Sequence, residues 1–166
     1  MGRTANNPDR LKEIEEAFEW NEPFDVILAL VHFSYDRMGD LQWEELPRGL
    51  RIALLVNEFD SQVANGGFQQ YFFNSSGEYA LETLGILQAV GARETAQLLE
   101  QALTVFPNSE PSQDNAQRAD QVARLNDDQL KKLESLSQAY YQQNENLFEV
   151  TASYLGEHKS ELVPVA

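Results

Sequence analysis

Residues 65–77 read NGGFQQYFFNSSG, the most distinctive segment of the chain and the starting point for its fold. The segment holds four aromatic residues within six positions, and glycines bound it on both sides. Helical spacing predicts that three of these aromatics share one buried face of a short helix: Phe68, Tyr71 and Phe72. Gly66 and Gly67 permit a sharp bend with a positive φ before this helix, and Gly77 permits the exit. We therefore interpret the segment as a buried aromatic helix rather than as a platform on which bases stack.

Composition and spacing outside this segment predict an all-α fold. Leu and Ala together number 37, whereas Val, Ile and Thr together number 19, a ratio that favours helix over sheet. Apolar residues recur at three-four spacing, and strict alternation is hard to find. The length predicts a single compact multi-helix domain over residues 1–166. Its predicted parts are acidic N-terminal helices over residues 8–45, a core with the aromatic segment over 46–106, and C-terminal helices over 112–156.

Prolines and capping residues mark where the helices begin. Before the Pro/Ser-rich loop, the predicted helices cover residues 8–20, 23–38, 47–64, 68–74, 78–90 and 92–106. The second of these is apolar nearly all round and is predicted to be the central helix of the core. Asn126 and Gln129 have the spacing of a capping box, which begins the C-terminal helices. The apolar spacing beyond them fits one long helix or a pair of helices broken near residues 144–146.

The chain is strongly acidic. It has 27 Asp and Glu against 12 Lys and Arg, so its net charge is −15 at pH 7 with both histidines neutral. Nucleic acids and anionic membranes are polyanions, so we expect the protein to bind neither of them directly. The absence of cysteine excludes thiolate nucleophiles, disulfides and cysteine-based metal sites. The amino terminus has no apolar core that could serve as a signal peptide, and the longest apolar stretch, residues 24–33, is much shorter than a membrane span. These features predict a cytoplasmic protein.

Few residues offer catalytic chemistry. His32 and Asp36 lie four residues apart on the second predicted helix, where the carboxylate could orient the imidazole for general-base catalysis. We favour the simpler interpretation, either a pair on a helix surface or a core histidine whose hydrogen bonds are satisfied. In a chain with 27 acids, paired carboxylates carry little information: Glu58 with Asp60, and Glu78 with Glu82. We therefore predict a non-enzymatic protein with no catalytic residues, no metal site and no cofactor.

The segment over residues 65–77 resembles the signature of a family of small bacterial proteins named for a DNA-mimic member. The resemblance rests on the runs Asn-Gly-Gly-Phe, Gln-Tyr-Phe and Asn-Ser-Ser-Gly, within a domain that covers the middle and C-terminal part of the chain. It implies an all-helical domain, a homodimer, and binding to the DNA-binding face of a transcription regulator, with no enzymatic activity or cofactor. Because the segment is predicted to be buried, its residues are assigned no binding role.

The acidic residues concentrate toward the two ends of the chain. Residues 1–45 hold 11 acids and four bases, residues 46–92 hold four and two, and residues 93–166 hold 12 and six. On the first predicted helix and just beyond it the acids form two rows, whose neighbours lie about 5–6 Å apart at Cβ. The predicted partner-binding residues are these rows and two acids farther along the chain: Asp9, Glu13, Glu15, Glu16, Glu19, Glu22, Asp114 and Asp120.

These observations support two hypotheses from different classes. In the first, rows of carboxylates imitate DNA phosphates, and the protein blocks a basic DNA-binding protein such as a helix-turn-helix regulator. A close variant is an inhibitor or immunity protein for a basic nuclease, which would use the same electrostatics. In the second, the protein is an enzyme built around His32 and Asp36 or around a carboxylate pair. We favour the first hypothesis and expect a homodimer, because two-fold symmetry is common among helix-turn-helix regulators.

Overall fold

The computed structural model describes residues 8–20, 22–39 and 41–163, and within these ranges it describes no side chain for residues 8–11 and 20. The described backbone forms α-helices and short 3-10 turns and contains no β-strand, which confirms the all-α prediction. The α-helices are α1 (Pro8–Trp20), α2 (Pro23–Met38), α3 (Arg48–Phe73), α4 (Ala80–Val90), α5 (Arg93–Leu103), α6 (Asn115–Ala123), α7 (Asp127–Gln142) and α8 (Leu147–Glu157). None of these helices combines the length and the apolar composition that crossing a bilayer requires.

Contacts between residues divide the chain into two compact units. The first unit comprises residues 1–57 and 148–166, and the second comprises residues 58–147. Helix α3 begins in the first unit and continues into the second. The organisation of residues 1–166 as a single domain stays a prediction.

The first unit has an apolar core built by α2, α3 and α8. Its fully buried apolar residues are Ile27, Leu30, Ile52, Ala53, Val56 and Leu155. Helix α1 packs against α2 and buries Ile14 and Ala17. The one buried polar side chain of α2 is satisfied locally, because the Ser34 hydroxyl lies 2.7 Å from the carbonyl oxygen of Leu30, to which it donates.

The prediction that α2 is a central core helix is wrong for one of its faces. Phe24, Tyr35 and Met38 are 49%, 59% and 43% exposed, although Ile27 and Leu30 on the same helix are fully buried. Apolar composition all round a helix shows that every face could be buried, not that another element covers every face. Helix α2 is therefore a core helix on one side and an exposed apolar surface on the other.

Helix α3 bends at the glycine pair that precedes the aromatic helix. Gly66 (φ −153°, ψ 17°) and Gly67 (φ 71°, ψ −174°) interrupt the helical conformation, and only Gly67 adopts the left-handed φ that favours glycine. A Cβ at Gly67 would also lie 2.6 Å from Ser137 Oγ, which accepts a hydrogen bond from the Phe68 N–H at 3.0 Å. The two helices predicted on either side of the glycine pair are therefore the two arms of α3.

The aromatic segment lies in the core of the second unit, as predicted. Phe68, Tyr71 and Phe72 are at most 1% exposed. Phe59 packs edge-on against Tyr71, with ring centroids 5.0 Å apart. The Phe72 ring packs in the same manner at 4.8 Å from another core ring, that of Phe106. Aromatic pairs of this geometry contribute about 0.5–1.5 kcal/mol each beyond their buried area, so the segment stabilises the unit.

Arg118 of α6 holds the exit of the aromatic segment, and no sequence pattern indicated this role. Its side chain is fully buried. The guanidinium donates to the backbone carbonyl oxygens of Phe72 (2.8 Å), Asn74 (3.0 Å), Ser112 (2.8 Å) and Gln113 (3.3 Å). A Cβ at Gly77 would lie 2.6 Å from Arg118 Nε. Glycine is therefore required at this exit for close packing, since its φ is not in the positive range.

The C-terminal helices form a pair rather than one long helix. Helix α7 begins at the predicted capping box, in which Asn126 and Gln129 each accept a hydrogen bond from the backbone N–H of the other at 2.9 Å. In the linker between α7 and α8, Glu145 accepts hydrogen bonds from the backbone N–H groups of Glu94 (3.0 Å) and Thr95 (2.8 Å). The carboxylate thereby caps the N-terminus of α5, which stabilises the break between α7 and α8.

Two other predicted helices are shorter than expected. The helix predicted over residues 78–90 begins at Ala80, because the residues before it form a 3-10 turn (Ser75–Tyr79). The helix predicted over residues 92–106 ends at Leu103. Between them, Gly91 ends α4 in the left-handed conformation with φ 85°, a common way for a helix to end.

Candidate functional site

The acidic side chains of α1 lie on its exposed surface. Four glutamates of this helix are exposed: Glu13, Glu15, Glu16 and Glu19. Ile14 and Ala17 of the same helix are buried, so α1 is amphipathic with its carboxylates toward solvent. The side chain of Asp9, which belongs to the same predicted site, lies outside the described residues.

Among the described side chains, one cation lies beside the carboxylates of α1. Lys12 Nζ lies 3.7 Å from Glu16 Oε1, and both side chains are more than half exposed. Such an exposed pair contributes only about 0–1 kcal/mol. No other Lys or Arg whose side chain is described lies within 4 Å of these carboxylates. Among the described side chains, Lys12 is therefore the one cation that offsets the charge of these glutamates.

Two further acids stand at the start of α2. Glu22 is exposed and directly precedes the helix, and its carboxylate makes no capping hydrogen bond. Asp25 is exposed in the first turn of the same helix, where the helix dipole favours an acid. These two carboxylates extend the negative charge of the first unit from α1 to α2.

The two predicted site residues of the second unit have local structural roles. Asp114 is the N-cap of α6 and accepts a hydrogen bond from the Gln117 N–H at 2.8 Å. Asp120 forms an ion pair with Arg124, whose Nη2 lies 3.0 Å from its carboxylate. Both acids are exposed, but the capping hydrogen bond and the ion pair within α6 partly offset their charge. Their part in partner binding stays a prediction.

The residues considered for catalysis are not assembled into a site. His32 and Asp36 are both exposed on α2, and no hydrogen bond joins these two described side chains. The predicted carboxylate pair of α3 is divided between separate contacts: Glu58 accepts from Gln62 at 2.9 Å, and Asp60 accepts from Tyr140 at 2.5 Å. Among the described residues, no group of three or more His, Asp and Glu side chains is arranged to hold a metal ion.

A model of a known protein family matches most of the chain. The model of the DMP19-like protein family matches residues 44–158, more than half of the length. The chain belongs to the DMP19-like protein family. Membership of this family suggests a DNA-mimic protein rather than an enzyme. No curated protein and no solved structure gives a significant match.

The range matched by the DMP19-like family separates the fold from the acidic rows. It includes the aromatic segment, Arg118 and the Glu145 cap, which together organise the second unit. It excludes α1 and α2, which carry the exposed acids from Glu13 to Asp36. Family membership therefore accounts for the helical fold of residues 44–158, whereas the acidic rows of α1 and the acids of α2 have to be argued from this chain itself.

Proposed function

We propose that the protein is a DNA mimic that occupies the DNA-binding surface of a basic transcription regulator and thereby blocks its association with DNA. The observation that carries this proposal is the set of exposed glutamates on α1, beside which Lys12 is the one cation among the described side chains. Membership of the DMP19-like family supports it independently, since that family suggests DNA mimicry.

The charge spacing on α1 suits this role. Its glutamates from Glu13 to Glu19 span six residues, which is about 9 Å at a rise of about 1.5 Å per residue. Four charges over this distance give one carboxylate per about 3 Å of helix axis. One strand of B-DNA carries one phosphate charge per about 3.4 Å. With both rows counted, α1 therefore has a linear charge density similar to that of one strand of B-DNA and about half that of the duplex.

The same electrostatics define the partner. Its binding surface has to be basic, because carboxylates attract Lys and Arg and repel the phosphates of nucleic acid itself. A helix-turn-helix regulator offers such a surface and is commonly a two-fold dimer. We infer that the protein acts as a homodimer in the cytoplasm, where a second copy would present its acids to the second half of such a regulator.

Competition with DNA tests the proposal. The protein is immobilised, lysate from its native cell is passed over it at low salt, and duplex DNA is then added. We expect duplex DNA to elute the captured partner, because both ligands would occupy one basic surface. The eluted protein, once purified, should bind its DNA site in a gel-shift assay. Addition of the mimic should release the DNA from this complex.

Two outcomes would contradict the proposal. A captured protein that binds DNA and the mimic at the same time would show that the two sites are separate. A captured basic protein that cleaves DNA, and is inhibited by the mimic, would instead identify an inhibitor of a nuclease.

A further inference from the structure

One face of α2 is apolar and exposed. It carries Phe24, Tyr35 and Met38, which are 49%, 59% and 43% exposed, and the half-buried Leu28. Their successive spacings of four, seven and three residues place all four side chains on one line along the helix, at about 100° per residue. We call these four residues the α2 stripe. It accounts for half of the large hydrophobic side chains that are exposed in the described part of the chain.

The α2 stripe is held in place by the core of the first unit. On its own helix, the neighbouring face is buried through Val26, Ile27 and Leu30. The Phe24 ring packs edge-on against Phe148, with centroids 5.1 Å apart at an angle of 89°. The stripe is therefore a preformed surface, and a partner would not need to order it on binding.

Acids lie along one edge of the stripe. Asp25 and Asp36 are exposed and eleven residues apart, which is about three helical turns. The angular positions of α2 place both of them on the side of the stripe away from the buried face. Helix α2 thus presents an apolar line with a parallel acidic edge.

We propose that the α2 stripe binds an amphipathic helix of the partner, with apolar residues facing the stripe and Lys or Arg facing Asp25 and Asp36. This inference rests on the proposed function, to which it adds the site and the kind of element that is bound. An apolar helix face recognised in this way is a common mode of peptide binding. Charge complementarity selects a basic helix over an acidic one.

The same charges argue against a second copy of this chain on the stripe. A two-fold contact between two α2 stripes would place the same surface on both sides of the interface. Where the two helices run antiparallel about the two-fold axis, the acidic edges of both copies lie on the same side of the interface, and this like-charge contact would oppose association. A basic helix has no such penalty.

The α2 stripe contributes apolar contacts to the complex, whereas α1 contributes charges. Exposed carboxylates mainly accelerate association at low salt, and their effect is screened as salt rises. Buried aromatic and apolar contacts mainly slow dissociation and depend little on salt. In this arrangement α1 attracts the basic partner and α2 retains it.

A designed peptide tests the stripe without the natural partner. The probe is a fluorescein-labelled helical peptide with a leucine stripe that is flanked on one side by lysines. Its controls are the same peptide with glutamates in place of the lysines and a scrambled peptide of equal composition. Fluorescence anisotropy should show binding of the lysine peptide alone. The double variant Tyr35→Gln with Met38→Gln should bind the lysine peptide about tenfold or more weakly.

A matched pair of substitutions controls for the loss of any exposed apolar side chain. Phe73 and Leu81 of the second unit are 54% and 47% exposed, so Phe73→Gln with Leu81→Gln removes a similar surface elsewhere. This pair should leave peptide binding unchanged. Reversal of the acidic edge by Asp25→Lys with Asp36→Lys should transfer binding from the lysine peptide to the glutamate peptide. Circular dichroism of each variant checks that its helix content is retained.

Three results would overturn the inference. They are no binding of the lysine peptide, an equal loss from both glutamine pairs, or a dimer that becomes a monomer on replacement of Tyr35 and Met38. The last result would identify a second copy as the occupant. DNA mimicry is tested separately, because elution of the captured partner by duplex DNA does not depend on the peptide result.

Discussion

Arg118 Nε donates a hydrogen bond to the carbonyl oxygen of Phe72 over 2.8 Å, and both residues are fully buried. Burial lowers the pKa of the guanidinium from its usual value, although nearby acids oppose this shift. The cost of burying a charge is offset by hydrogen bonds to four backbone carbonyls. Arg118 thereby ties α6 to the end of the aromatic segment.

This contact leaves no room for a side chain at Gly77. In the variant Gly77→Ala, the new Cβ would lie 2.6 Å from Arg118 Nε and 2.7 Å from the Phe72 carbonyl oxygen. Relief of this overlap has to move the guanidinium or the backbone, so we expect a loss of about 1–3 kcal/mol in the free energy of unfolding. Urea denaturation followed by circular dichroism measures it.

Gly85 in α4 is the control, since nothing lies within 4 Å of the place that a Cβ would occupy there. Gly85→Ala should raise the free energy of unfolding by about 0.5–1 kcal/mol, because alanine favours a helix interior. Equal effects of the two alanine variants would show that Gly77 is not closely packed.

Removal of the Glu145 carboxylate, which caps α5, should also lower the free energy of unfolding. Glu145→Ala removes the acceptor for the backbone N–H groups of Glu94 and Thr95, and Thr95 is fully buried. We expect a loss of about 1–2 kcal/mol in the free energy of unfolding. Glu100→Ala on the exposed side of α5 should change it by about 0.5 kcal/mol or less. A small effect at Glu145 would mean that water replaces the carboxylate without cost.

Two buried tyrosines predict a loss of stability at alkaline pH. Burial raises the pKa of Tyr71 and of Tyr140 above the usual value of 10.0, and the hydrogen bond from Tyr140 to Asp60 raises the Tyr140 pKa further. Above about pH 10 the unfolded chain loses phenol protons that the folded chain keeps, so the free energy of unfolding should fall as pH rises. Denaturation series from pH 8 to 11 check this (roughly the range over which free tyrosine titrates).

Phenylalanine variants identify the groups responsible. Tyr71→Phe and Tyr140→Phe should each make the alkaline decrease shallower, because each removes one titrating phenol. At neutral pH, Tyr140→Phe should also cost about 1–2 kcal/mol, since the hydrogen bond to Asp60 is lost. If the free energy of unfolding falls with pH as steeply in both variants as in the unmodified protein, other titrating groups cause the decrease.

Partner binding should depend on the acids of the first unit. Replacement of Glu15, Glu19 and Glu22 by glutamine removes three exposed charges and keeps side-chain size. At about 0.5–1 kcal/mol each, the triple change should weaken binding to the captured regulator about tenfold or more at low salt. Surface plasmon resonance across a salt series should show that the difference from the unmodified protein narrows as salt rises.

A second triple variant controls for net charge alone. Glu94, Glu100 and Glu134 are exposed on helices of the second unit, outside the predicted partner-binding residues. Their change to glutamine removes the same charge and should weaken binding much less. Equal losses of affinity in the two triple variants would contradict the prediction. They would show that the interface lies elsewhere or that binding depends only on the total charge of the protein.

The inferred homodimer predicts the mass in solution. Light scattering at micromolar concentration should give twice the chain mass of 18.8 kDa. The replacement of Tyr35 and Met38 should leave this mass unchanged, because the α2 stripe is assigned to the partner. A mass near that of a single chain would contradict the dimer.

Much of the fold follows from local features of the sequence. Pro8 and Pro23 mark the beginnings of α1 and α2, and Asn126 with Gln129 caps α7 as predicted. The burial of the aromatic helix follows from its spacing, and the bend at Gly67 from the conformational freedom of glycine. Each of these features depends on residues a few positions apart, so the sequence is sufficient to predict it.

The tertiary structure decided the features that join distant parts of the chain. The break between α7 and α8 depends on Glu145 meeting the N-terminus of α5, about fifty residues earlier in the chain. The requirement for glycine at position 77 depends on Arg118, which lies on another helix. The exposure of the α2 stripe depends on which elements pack beside α2. Composition and acidity were readable from the sequence alone, but hydrogen-bond partners and exposed faces are set by which residues become neighbours when the chain folds.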